Sequence, residues 1–250
     1  MQREFEGKTA VVTGGASGMG YLSGKNFYDR GANVVLCDCD AAALKKAAGS
    51  FVGGEGRLLA VQCDVRNFTE VKDAVAQVVE TFGSLDIMVN CAGGCSTRIF
   101  GNREEFCDRP IEQIRWGIEV NLMGTIYFCH EAMRQMKKQK SGAIVNFGSI
   151  MGIEGDARGT DYATSKSAIM NGLNKSLAKE GAPYGVRVNC IAPGPVLTRP
   201  GMAGMKTALG RAAEPQEIVD MVLYLASEKS SFMTGTTILM DGGRHLMMND

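Results

Sequence analysis

The chain has 250 residues, 45% hydrophobic and 22% charged, with 27 Lys plus Arg against 27 Asp plus Glu. That length houses one α/β domain or two small ones around a sizeable core, and the composition excludes a disordered chain, a fibre or a disulfide-stapled miniature. The zero formal net charge speaks against a nucleic-acid or anionic-membrane partner and for a small molecule.

The first residues mix both charge signs and run into Gly14, Gly15 and Gly18. Neither a signal peptide nor a membrane span is expected there, and the chain is expected in the cytoplasm. Seven apolar, β-branched runs of strand length follow, at 8–13, 33–38, 57–62, 85–90, 143–149, 186–192 and 236–240. Between them Val71, Val75, Val78 and Phe82 share one helical face, as do Ile169, Leu173 and Leu177, and then Ile218, Met221, Val222 and Leu225. This alternation predicts repeated βα units: an α/β, Rossmann-like, doubly wound parallel sheet of about seven strands with helices on both faces, as one domain over 1–250. Pro215 suits the first turn of the last helix. The eight cysteines include no CxxC pair and meet only two histidines. They are expected as reduced, mostly buried small hydrophobes rather than a zinc or redox site.

The strand ends carry the polar groups. After 8–13 come Gly14, Ser17, Gly18, Met19 and Gly20 at the head of a helical stretch. Such a turn lets backbone approach a pyrophosphate, whose charge the helix N-terminus favours, although a glycine-rich βα turn also occurs with no ligand. The second strand ends at Asp38, a ribose acceptor that would repel a 2′-phosphate, while Ser17 and Cys39 offer such a phosphate no positive charge. NAD is therefore preferred to NADP. Asp40 is the better placed of the two aspartates to cap the next helix. Asp64 and Val65 follow the third strand, and Asn90, Ala92 and Gly93 the fourth. Two intervals, 94–112 and 194–213, break the alternation just past strands, and are either substrate loops or plain surface connections.

Ser149 ends the fifth strand, and a helix starting near Thr160 carries Tyr162 and Lys166 four positions apart, hence on one face. An ammonium about 4 Å from a phenol favours the phenolate by about 4 kcal/mol at an effective dielectric of about 20, enough to bring its pKa down toward neutrality. Tyr162 would then exchange a proton with a carbonyl or alcohol oxygen held by Ser149 while hydride moves to or from a nicotinamide. A solvated Tyr/Lys face remains the plainer reading of the pair alone.

The whole set resembles the short-chain dehydrogenase/reductase family in its compact single-domain branch. Thr13 with the GxxxGxG run is similar to the cofactor turn, Asn90-Cys91-Ala92-Gly93 to the NNAG segment, and Asn121 to the helix asparagine. Ser149, Tyr162 and Lys166 match the catalytic core, and Pro193, Gly194, Val196 and Thr198 the segment that clasps the nicotinamide amide. The resemblance implies that Lys166 also holds the nicotinamide ribose, that Asn121 anchors a proton-relaying water, and that the chain forms a homotetramer or dimer. Cys91, Met19 and Ala213 depart from the pattern, the 198–210 stretch is short and the 93–121 interval long.

Substrate class is open at this stage. Arg98, Arg103, Arg109 and Arg199 on the two loops would grip a polar or anionic substrate such as a sugar acid or hydroxy acid, or are solvated charges. Met151, Ile153, Met202 and Met205 suit a hydroxysteroid or another hydrophobic alcohol. A non-catalytic NAD-binding sensor would need only the nucleotide half of these residues.

Overall fold

The computed structural model describes residues 3–54, 56–102 and 104–247. Its strands are β1 (Thr9–Thr13), β2 (Asn33–Asp38), β3 (Leu58–Gln62), β4 (Ile87–Asn90), β5 (Gly142–Phe147), β6 (Val186–Pro193) and β7 (Thr237–Met240). All pair in parallel in one sheet of order β3-β2-β1-β4-β5-β6-β7. Each lies within two residues of its predicted run.

Side chains alternate across a strand, so a strand covered on both faces must be apolar throughout. In β1, Ala10 and Val12 join Phe27 and Ile218 on one face, while Val11 joins Val71 and Phe128 on the other. The helices are, in chain order, α1 (Gly18–Asp29), α2 (Ala41–Ala48), α3 (Phe68–Phe82), α4 (Ser96–Ile99), α5 (Ile111–Ile118), α6 (Gly124–Gln139), α7 (Met151–Glu154), α8 (Thr160–Ala168), α9 (Asn174–Gly181) and α10 (Pro215–Ala226). Of these, α1, α2 and α10 cover one face and α3, α6 and α9 the other. Their ends follow local chemistry. The Asp40 side chain accepts from the Ala43 amide to cap α2, and Pro215 opens α10 behind a Glu214/Glu217 capping box. Wide π-turns at Glu119–Met123 and Ile169–Leu173 join α5 to α6 and α8 to α9.

The strand order reverses beside β1, which opens a crevice at the carboxyl ends where ligands of such sheets bind. The irregular intervals leave β4 and β6 at this edge. Among its described residues the first holds α4 and the opening of α5. The second holds one 3-10 turn, Pro200–Met202, and is closed at its base by a bridge between Val196 and Ala213. No helix among the described residues is long and apolar enough to cross a membrane. All eight cysteines are free, but only Cys37, Cys63, Cys129 and Cys190 are buried. The expectation of mostly buried thiols thus holds for half of them, because Cys39 and Cys107 stand on exposed connections at the strand-end edge.

Candidate active site

At the head of α1, Gly14 and Gly18 adopt φ values of +65° and +55°. A Cβ on Gly14 would lie 3.0 Å from the Ala92 Cα, and one on Gly20 would overlap the Gly14 carbonyl oxygen at 2.2 Å. The close approach of strand and helix leaves the first amides of α1 without a side-chain cap or an acidic neighbour. That cradle fits a pyrophosphate. Asp38 accepts from the Ala16 amide on Oδ2 and from the Asp40 amide on Oδ1, both at 3.1 Å, so one carboxylate braces the turn. Met19 is half-buried against the core. Thr13 Oγ1 accepts from the Cys91 and Ala92 amides, each at 3.1 Å, which holds the segment after β4 against the turn.

Two further predicted residues at this end have side-chain partners within the protein. The Asp64 carboxylate bonds Arg66 at 3.0 Å, and that contact holds it below the usual carboxylate range. Asn90 is buried, and its amide donates to Asn146 Oδ1 at 2.9 Å and to Cys129 Sγ at 3.2 Å. Its side chain therefore links β4 to β5 through the sheet interior. Val65 is buried against α6, where a Cβ on Gly124 would meet its Cγ2 at 2.6 Å.

At the other end of the crevice Asn121 sits within the first π-turn, fully buried. Its Oδ1 accepts from the Gly94 amide at 3.0 Å, and its Nδ2 donates to the carbonyls of Gly94 and Gly117 at 2.9 and 2.8 Å. The Asn121 carbonyl is taken by the Thr125 hydroxyl. Lys166 Nζ donates to the Phe147 carbonyl at 2.8 Å and stands 5.5 Å from the centre of the Tyr162 ring. A Cβ on Gly93 would meet Asn121 Oδ1 at 2.6 Å and Lys166 Nζ at 3.5 Å, so these three groups converge. Burial draws the Lys166 ammonium down to about 8.

The phenol differs from the sequence expectation. Burial raises the Tyr162 pKa, while a hydrogen bond from Ser149 and the charge of Arg199 pull it back. Lys166 is aimed at a backbone carbonyl and the ring face rather than at the hydroxyl, so desolvation wins. Pro193 ends β6 and Gly194 follows it. Gly194 packs on Asp241, with room for no Cβ, and Val196 is buried below the exposed Thr198.

A family model described as enoyl-(acyl carrier protein) reductase matches residues 14–245. The chain belongs to the short-chain dehydrogenase/reductase family. Trans-4-hydroxycyclohexanecarboxylate dehydrogenase of Sinomonas cyclohexanicum is 39% identical over 94% of this chain and 92% of its own. A 3-oxoacyl-[acyl-carrier-protein] reductase of Thermotoga maritima is 34% identical over 96% and 98%. A solved short-chain type dehydrogenase/reductase from Mycobacterium marinum superimposes with a TM-score of 0.88 at 32% identity, covering 97% of this chain and 96% of that one. Members of this family are oxidoreductases that use nicotinamide cofactors.

Within this short-chain dehydrogenase/reductase, the loop arginines divide. Arg109 is buried on Asp161 and unavailable to a ligand, against both readings of it as a loop charge. Arg103 lies outside the described residues. Arg98 and Arg199 are exposed and have no carboxylate partner among the described residues. The Arg98 guanidinium lies near Gly94, at 3.2 Å from where a Cβ would stand, and the Arg199 charge reaches the phenol. Sequence reasoning did not single out Asp161 or Ser96. The only signal for Asp161 was a charged residue directly before Tyr162.

Proposed function

We propose that the chain is an NAD(H)-dependent oxidoreductase interconverting a secondary alcohol and a ketone, with Tyr162 as acid/base and a substrate that carries an anionic group. The observation that carries this reading is the convergence of Ser149, Tyr162 and Lys166 with Gly93 and Asn121 at the carboxyl ends of β4 and β5. A bound nicotinamide supplies or accepts the hydride. The chain's own groups manage the proton and the geometry. Tyr162 gives its proton to the ketone oxygen or takes it from the alcohol, and Ser149 holds that oxygen. Asn121 fixes Gly94, and Lys166, anchored on Phe147, is the candidate holder of the ribose beside Gly93.

NAD rather than NADP is supported by the Asp38 carboxylate, which a 2′-phosphate would meet as a like charge. NADH is expected to bind at least about tenfold more tightly than NADPH, and Asp38→Ala to narrow the ratio about tenfold, measured by fluorescence titration. An unchanged ratio removes the assignment of Asp38 to the ribose.

The anionic substrate is supported by Arg98 and Arg199, one on each loop, which have no carboxylate partner among the described residues. A hydrophobic alcohol is the second reading, favoured by the exposed Ile99, Phe100, Phe106, Ile153 and Leu209 on the connections that follow β4, β5 and β6. Oxidation of trans-4-hydroxycyclohexanecarboxylate and of cyclohexanol separates the two. Arg199→Ala is expected to raise KM for the carboxylate about tenfold, to leave KM for cyclohexanol within about twofold, and to move the oxidation profile of both alcohols to higher pH, since removing a cation destabilises the phenolate. If neither Arg98→Ala nor Arg199→Ala changes kcat/KM for the acid, the hydrophobic reading takes its place.

A further inference from the structure

The loop between β4 and α5 ends in a guanidinium that solvent does not reach. Arg109 Nη2 donates to Asp161 Oδ1 at 2.8 Å, with both side chains fully buried. The same nitrogen donates to Ser96 Oγ at 2.7 Å, and Nη1 donates to the Arg158 carbonyl at 2.9 Å. One planar fork therefore joins the head of α4, the end of the loop, the turn before α8, and the residue directly ahead of Tyr162. A lysine offers a single point charge and cannot make this set of contacts.

Neighbouring contacts are shaped around the pair. A Cβ on Gly117 would stand 1.7 Å from Asp161 Oδ2, so only a bare backbone on α5 lets the carboxylate in. The Gly117 carbonyl accepts from Asn121, which also grips Gly94 from both sides of its peptide. The loop is thus pinned at its start by Asn121 and at its end by Asp161. Between the pins, Cys95 Sγ lies 3.0 Å from Thr97 Oγ1 and 3.2 Å from where a Cβ on Gly159 would stand, so this wall touches the turn before the Tyr162 helix. The middle of the loop, with Ile99, Phe100 and Phe106, remains exposed.

A buried ion pair is weak evidence for stability, since apolar residues of similar volume often serve as well. We propose that Arg109 and Asp161 are positioning residues: their pair fixes the wall at residues 95–97 relative to Tyr162, and so sets which substrates reach the phenol. The kinetic part of this inference rests on the reading of Tyr162 as acid/base. The part concerning loop order does not.

The test uses full-length Arg109→Lys, Asp161→Asn and the double variant Arg109→Met with Asp161→Leu. Hydrogen exchange is followed by mass spectrometry, NADH affinity by titration, and NAD-dependent oxidation with trans-4-hydroxycyclohexanecarboxylate and cyclohexanol. Amides of 94–102 and 155–161 are expected to exchange about tenfold faster in each folded variant, with 13–20 unchanged and NADH affinity kept within about twofold. The kcat/KM for the preferred alcohol should fall about tenfold, chiefly through KM, and the ratio between the two alcohols should move toward unity. Arg109→Lys, which keeps the charge, should recover only part of the loss. The proposal is overturned by folded variants that exchange and select as the wild type does, by exchange that rises evenly along the chain, or by a double variant that fails to fold while Arg109→Lys is indistinguishable from wild type. If the wild type oxidises neither alcohol, the acid/base reading loses its support and the exchange measurement alone decides on the latch.

Discussion

Tyr162→Phe is expected to lower kcat by roughly 10²–10⁴-fold, about 3–5 kcal/mol of barrier, while NADH affinity stays within about twofold. The phenol is the one proton donor with Ser149 at its hydroxyl, and phenylalanine keeps the ring and its packing while removing the proton. In the reduction direction Tyr162 and Lys166 both act protonated. The kcat/KM is therefore flat at low pH and falls above about 8, where Lys166, drawn down by burial, gives up its charge. Steady-state kinetics from about pH 6 to about pH 10 on wild type and variant check both statements. Turnover by Tyr162→Phe within about threefold of wild type would remove the phenol from the chemistry.

Gly20→Ala is expected to weaken NADH binding about 100-fold or more and to lower Tm by roughly 5 °C. The new methyl would meet the Gly14 carbonyl oxygen at 2.2 Å and the Thr13 carbonyl oxygen at 3.1 Å, both backbone atoms that cannot swing aside. Relief requires α1 to move off the end of β1, which opens the cradle formed by Gly14 and the first amides of the helix. Thermal melts and NADH titration measure the two effects separately. A variant that melts lower but binds NADH as tightly as wild type would mean that the dinucleotide does not lie on this turn.

Much of the site was legible because its signals are local. A glycine turn at a strand end, a carboxylate at the end of the next strand and a Tyr/Lys pair at helical spacing each depend on a few consecutive residues. Fold class was legible for the same reason, since strand and helix periodicities are properties of short windows. Asp40 capping α2 and Pro215 opening α10 are further cases. The sequence did not reveal the two π-turns, one of which carries Asn121, because a single wide turn leaves no periodic trace.

The direction of the Tyr162 shift was legible only with its environment in place. Spacing puts Lys166 on the right helix face but says nothing of where its long side chain ends. It ends on the Phe147 carbonyl, and burial then outweighs attraction at the hydroxyl. Asn90 shows the same limit. Its place at a strand end is a sequence property, but its turn inward to Asn146 follows from the pairing of β4 with β5.

By itself the sequence determined the order of the seven strands, the glycine turn after β1, and which residue types stand at the strand ends, because short-range sterics and hydrophobic period act within a few residues. Tertiary structure alone decided which charges are spent and which are free. Arg109 and Asp161 lie 52 positions apart and meet only because α5 packs on α8, whereas Arg98 and Arg199 are exposed with no carboxylate partner among the described residues. Burial and partner choice are set by long-range packing, so identical arginines on one loop carry different chemistry.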